Sequence, residues 1–135
     1  MEIIAKSRSV RVSPRKVRLV ADSIRKMSAE DALKALVVIN KRGGYVLEKV
    51  LSSAIANAVN NVNAKKEALF IKSIDVTEGI SFKRFHPSTR GRVHPYKKRG
   101  SNITIVLTDN KFEVRSTKSE TNERKQLVMK GDTNS

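Results

Sequence analysis

The side chains able to do chemistry narrow quickly to one kind. The two histidines, His86 and His94, stand eight residues apart with no Asp, Glu or Cys near them, so no metal-ligating set forms. No pair of carboxylates is spaced for acid–base work, and Ser7 and Ser101 have no base partner in view. Asp22, Glu30, Asp31 and Glu48 read as surface ion pairs or helix caps. The expectation is a protein that is not an enzyme and carries neither metal nor cofactor. What the chain holds in quantity is cations for phosphate. Its 135 residues include 28 Lys and Arg against 13 Asp and Glu, a net charge of +15. Lys6, Arg8, Arg11, Arg15, Lys16 and Arg18 lie between Glu2 and Asp22 with no acid among them. Lys83, Arg84, Arg90, Arg92, Lys97, Lys98 and Arg99 lie in a second acid-free stretch, 79–108. The interval between the two stretches is nearly balanced, and so is the tail after Asp109. Charge gathered into two arms beside a neutral body marks a surface that faces a polyanion.

Composition bounds the rest. The length fits one domain with an extension. Apolar residues make up 39% of the chain and aromatics only 4%, so the core must be aliphatic. With no cysteine there can be no disulfide and no thiolate zinc site, which suits an intracellular compartment. No apolar run approaches the ~18 residues of a membrane span. Glu2 and Lys6 interrupt the N-terminal run Ile3-Ile4-Ala5, so no signal peptide is expected.

The elements that must position the cations follow from pattern. Residues 2–6 suit a short strand, and 7–12 an extended basic connector carrying Arg8 and Arg11. Ser13-Pro14 is a helix start, a capping hydroxyl followed by the residue that loses no bond at the first helical position. Val17, Val20, Ala21 and Ile24 then share one face, with Arg15, Lys16 and Arg18 off it. Arg15 and Lys16 meet an unfavourable macrodipole that a bound phosphate would offset. Ser28 caps a second helix with Glu30 and Asp31 in its first turn and a face of Leu33, Leu36, Val37 and Asn40. Lys41-Arg42-Gly43-Gly44 reads as a break ending that helix; it lacks the Gly-Lys-Ser/Thr of a phosphate-binding loop. Val46, Leu47, Val50, Leu51, Ala54, Ile55, Ala58 and Val62 define a third helix, closed by Asn60, Asn61 and Asn63.

Two strands follow. In 69–77 the apolar parity shifts between Leu69/Ile71 and Ile74/Val76, which predicts a bulge or burial on both faces. In 102–108, Ile103, Ile105 and Leu107 alternate cleanly. The connection between them is too long for an ordinary loop and reads as the same two strands continuing outward to a tip at 86–92, roughly 30 Å at ~3.3 Å per residue. Such a ribbon is marginal alone in water and repels itself, so it suits embedding in a polyanion. Residues 110–135 read as a polar extension, disordered or weakly helical.

These residues also carry a resemblance. The stretch Arg11-Val-Ser-Pro-Arg-Lys-Val-Arg-Leu-Val-Ala-Asp22 resembles the opening of the large-subunit ribosomal protein twenty-two family, bacterial type. So do Glu48-Lys-Val-Leu-Ser-Ser-Ala-Ile-Ala-Asn-Ala58 and Val76-Thr-Glu-Gly79. Lys83-Arg84, Pro87, Arg90-Gly-Arg92 and Lys97-Lys-Arg99 resemble its long hairpin. The likeness covers 1–109, the expected domain, with the hairpin at about 79–101. It implies an α+β fold, a three-stranded antiparallel sheet packed on three helices with a long protruding basic β-hairpin. It implies a structural constituent of the large ribosomal subunit, cytoplasmic, that binds ribosomal RNA, aids its assembly and lines the polypeptide exit tunnel with its hairpin tip. The tip is implicated in macrolide susceptibility. Expected partners are large-subunit ribosomal RNA, neighbouring large-subunit proteins and the nascent peptide, with no membrane and no DNA. RNA contacts are expected at Lys6, Arg8, Arg11, Ser13, Arg15, Lys16 and Arg18. In the arm they are expected at Lys83, Arg84, His86, Arg90, Arg92, His94, Lys97, Lys98 and Arg99. The tunnel-lining tip would be Pro87, Ser88, Thr89, Arg90, Gly91 and Arg92, with Gly91 permitting the turn. Ser88 departs from the family, whose tips carry a basic residue after the proline. A DNA-bending protein would also use a β arm, but it would need a dimer face, and the sequence offers no apolar stripe for one.

Overall fold

Pairing in the sheet follows directly from the alternation of aliphatic residues. The computed structural model describes residues 2–109. Three strands, β1 (Glu2–Val10), β2 (Phe70–Pro87) and β3 (Val93–Thr108), form one antiparallel sheet in the order β1-β3-β2. Opposite residues share a face, so three rows form: Ile3, Leu107 and Ile71; Ala5, Ile105 and Ile74; Ser7, Ile103 and Val76. All the apolar members of these rows are buried. Between Ile71 and Ser73 the register shifts, with Lys72 as the extra residue. This is the bulge that the parity change predicts. Three helices, α1 (Pro14–Ile24), α2 (Ala29–Val38) and α3 (Arg42–Val62), supply the rest of the core together with Leu69, just before β2. The α+β arrangement is the expected one.

The helices carry the predicted core faces with two exceptions. In α1, Val17, Val20, Ala21 and Ile24 are buried, and in α3 Leu47, Val50, Leu51, Ala54, Ile55 and Ala58 are. Asn63 closes α3 in the left-handed conformation. In α2 the buried residues are Ala29, Ala32 and Leu36, while Val37 stands 68% exposed. The three-residue step between small alanines brings α2 close to α3, and this overrides the larger residues as the choice of face. The second exception is 41–44. The glycines do not end α2; they form the first turn of α3. A methyl group on Gly44 would stand 2.9 Å from the Ile39 carbonyl oxygen, and one on Gly43 3.1 Å from that of Lys16. They are there for close approach.

The stretch 7–12 also differs from expectation. β1 runs on to Val10, paired with β3, rather than giving way to a free connector after Lys6. Here the sheet changes character. Between the pairs Ser7↔Ile103 and Val10↔Ser101, Arg8 and Ser9 oppose Asn102 alone. Between Glu78↔Ser101 and Ser81↔Arg99, Gly79 and Ile80 oppose Gly100 alone. Two bulges thus flank the central strand at one level. Asn102 ties them together. Its Oδ1 accepts the Ser9 N–H at 2.9 Å, and its Nδ2 donates to the Glu78 carbonyl at 3.4 Å.

Beyond this neck β2 and β3 pair from Ser81↔Arg99 to Pro87↔Val93. No buried apolar side chain comes from 79–100. The turn closes with the Ser88 N–H donating to the Arg92 carbonyl at 2.8 Å. It uses two left-handed residues, Arg90 and Gly91, where only Gly91 was expected to turn the chain. Among the described residues no helix is long and apolar enough to cross a membrane. The expected polar extension at 110–135 lies outside the described residues.

Candidate nucleic-acid interface

The predicted cations do not form one cluster, but a groove gathers several of them. It is about 810 Å³ in volume and lies where the starts of α1 and α3 meet the root of the hairpin. Arg11, Ser13 and Lys16 line one side, and Arg84, Lys98 and Arg99 another. Lys41 and Arg42, at the start of α3, complete the basic lining. Val12, Leu19 and Phe82 supply apolar surface, and among the described residues no acid lines the groove.

Local sequence explains the arrangement. Gly43 lets the first turn of α3 approach the Lys16 carbonyl, so two helix starts open at one place. Neither start is neutralised. In α1, Ser13 occupies the N-cap position but its side chain makes no capping bond, contrary to the expected hydroxyl cap. In α3 the N-cap residue is Lys41, again without a side-chain bond, and neither helix has an acid in its first turn. By contrast α2, whose start does not line the groove, has both. The Ser28 hydroxyl accepts the Asp31 N–H, and Glu30 and Asp31 oppose the dipole. Positive ends of helices beside lysine and arginine suit an anion.

The remaining predicted residues divide by environment. Lys6 and Arg8 are exposed on β1, Lys6 opposite Thr104 and Arg8 inside the neck bulge. Arg15 is exposed on α1 outside the groove lining. Arg18 is engaged internally. Its Nε and Nη2 donate to the Val76 carbonyl at 3.0 and 2.8 Å, pinning α1 to β2. Along the arm, Lys83 faces Lys97 directly and His86 faces His94. Like charges directly opposed destabilise a ribbon. Partial compensation comes from the His86–Tyr96 stack at 4.4 Å and from Arg84, 5.7 Å above the Phe82 ring. Arg99 also reaches Glu78 at 3.7 Å. At the tip, Pro87, Ser88, Thr89, Arg90, Gly91 and Arg92 are all exposed.

Sequence reasoning missed Lys41, Arg42 and Phe82. The signal for the first two was available: a cation pair opening a helix, the feature that singles out Arg15 and Lys16. It was hidden because Gly43-Gly44 read as a helix end. Phe82 gave no signal, since its place opposite the helix starts is a tertiary fact.

Comparison with known proteins places the chain in a family. Residues 5–108 match the family described as Ribosomal protein L22p/L17e. The large ribosomal subunit protein uL22 of Thermus thermophilus is 51% identical over 107 residues, which cover 79% of this chain and 95% of that protein. Its counterpart in Staphylococcus aureus (strain JH9) is 44% identical over 115 residues, covering 85% and 98%. The family match runs from within β1 to the last residue of β3, through all three helices, the groove and the whole hairpin, and the chain therefore belongs to the ribosomal protein L22p/L17e family.

Proposed function

We propose that this chain is a structural, non-enzymatic constituent of the large ribosomal subunit that binds its ribosomal RNA, aids assembly of that RNA and lines the polypeptide exit tunnel with the hairpin tip. The observation that carries this reading is the acid-free basic lining of the groove, continued along the exposed hairpin, in a member of this family. Lysines and arginines displace counterions from phosphates, and a rigid body sets their register. Residues 1–109 act as the domain, with 110–135 as an appendage to it. Lys6, Arg8, Arg11, Ser13, Arg15 and Lys16 meet RNA at the body. Lys83, Arg84, His86, Arg90, Arg92, His94, Lys97, Lys98 and Arg99 meet it along the arm. Arg18 contributes from α1 through the part of its guanidinium not held by Val76. The turn 87–92 faces the nascent peptide. Neighbouring large-subunit proteins complete the surroundings, in the cytoplasm.

The test is sedimentation of a cell lysate through a high-salt sucrose gradient, probing for this chain. Retention with the large subunit after the salt wash is the expected outcome. Recovery at the top of the gradient would reduce the association to a peripheral one and overturn the reading.

A further inference from the structure

The groove is more than a bed of charge. A phosphate track needs cations and nothing apolar, yet Leu19 and Phe82 line this groove while 62% and 46% exposed. Aliphatic and aromatic surface left open among lysines and arginines needs a partner that is apolar in one part and anionic in another. A nucleotide outside a helix is such a partner: its base has apolar faces and its phosphate a charge. Bases already paired and stacked in a duplex offer no free face. The groove volume, about 810 Å³, lies within the roughly 300–1,000 Å³ of sites that enclose small organic ligands.

We propose that this groove receives a single unpaired nucleotide of the bound RNA, its base against Phe82 and Leu19 and its flanking phosphates at Lys16, Lys41 and Arg42. The proposal rests on the RNA-binding reading above and adds to it a structural class of ligand. Arg84, 5.7 Å from the Phe82 ring centre, favours electron-rich rings on the same side. Phe82 belongs to the hairpin, whereas Leu19 and Lys41 belong to the body. A base held between them fastens the root of the arm to the domain.

The test uses the full chain and two synthetic blunt-ended RNA duplexes matched in length, one perfectly paired and one with a single bulged 2-aminopurine. The bulged RNA is expected to bind about tenfold more tightly, the worth of one base stacked on an aromatic ring, with quenching of 2-aminopurine fluorescence. Phe82→Leu, which keeps apolar bulk outside the core, should bring the two affinities together. The double change Lys41→Ala with Arg42→Ala should weaken both complexes and lower the slope of log affinity against log salt by about two. Equal affinity of the unaltered chain for both RNAs, with strong salt dependence, would overturn the nucleotide pocket and leave RNA binding standing. Persistence of the preference in Phe82→Leu would likewise overturn it. Absence of salt-dependent binding to either RNA would sink the underlying reading itself.

Discussion

At the scale of single residues, close contact decides the sign of an effect. Gly44 sits in the first turn of α3, where glycine is ordinarily a weakness and alanine would gain up to about 1 kcal/mol. Here a methyl group would meet the Ile39 carbonyl at 2.9 Å, a backbone atom that cannot rotate away. Gly44→Ala is therefore expected to lower stability by about 1–3 kcal/mol in urea unfolding; a rise would show that the α2–α3 connection yields freely. Arg18 gives part of its guanidinium to structure. Its two bonds to the Val76 carbonyl join α1 to β2, and Arg18→Ala should cost about 1.5 kcal/mol, since a bond from a charged donor is worth more than a neutral one. Equal stability of the variant and the parent would mean that these two bonds add nothing to the fold. At the far end of the sheet, the hydrogen bond and charge of Lys72 hold the Glu2 carboxyl below its ordinary value. The folded pKa lies below the unfolded one, so this contribution is present above the unfolded value and lost as pH falls through the folded value. The melting temperature of Glu2→Gln should be lower than that of the parent at neutral pH and converge with it in acid. A gap that persists at the lowest pH would assign the effect to something other than ionisation.

Elements were legible wherever aliphatic residues keep a period. The α1 and α3 faces and the alternation in β3 could be read from spacing, and the slip from Ile71 to Ile74 pointed to a bulge or to burial on both faces, of which the register shows the bulge, at Lys72. The neck bulges could not be read so. Around Arg8-Ser9 and Gly79-Ile80 the side chains are exposed, polar or absent, so a change of parity leaves no trace in the pattern. The same silence hid the continuation of β1 beyond Lys6. The groove was half legible: its cations on α1 and the arm follow from charge, but the contribution of α3 depended on glycines whose role is set by the neighbouring helix. What the neck does is an element-scale question. The Asn102 side chain bonds to both edge strands where the ribbon leaves the body. Asn102→Ala should lower stability by about 1 kcal/mol and speed amide hydrogen exchange at Ser9, with the rest of the sheet protected as before. Unchanged exchange at Ser9 would mean that the two bulges hold their geometry from the backbone alone.

For the molecule as a whole, the body and the arm answer to different forces. Among the described residues every buried apolar side chain lies outside 79–100, so the arm adds nothing to the core while it adds like charges facing each other, as at Lys83 and Lys97. Stability of the isolated protein and affinity for RNA should therefore separate. Replacing 84–96 with a tight two-residue turn removes Arg84, Arg90 and Arg92 along with both histidines. The unfolding free energy should change by no more than about 0.5 kcal/mol, as for surface changes remote from the core. RNA affinity should fall, and its log–log salt slope should shrink by about two to three, roughly one for each phosphate that the arm no longer neutralises. On the proposed tunnel role of the turn at 87–92, large subunits carrying the shortened chain should respond differently to macrolides in cells. Loss of cooperative unfolding in the shortened chain would show that the arm takes part in folding the body. An unaltered salt slope would instead place the phosphate contacts on the body and at the root of the arm, with 84–96 making none of its own.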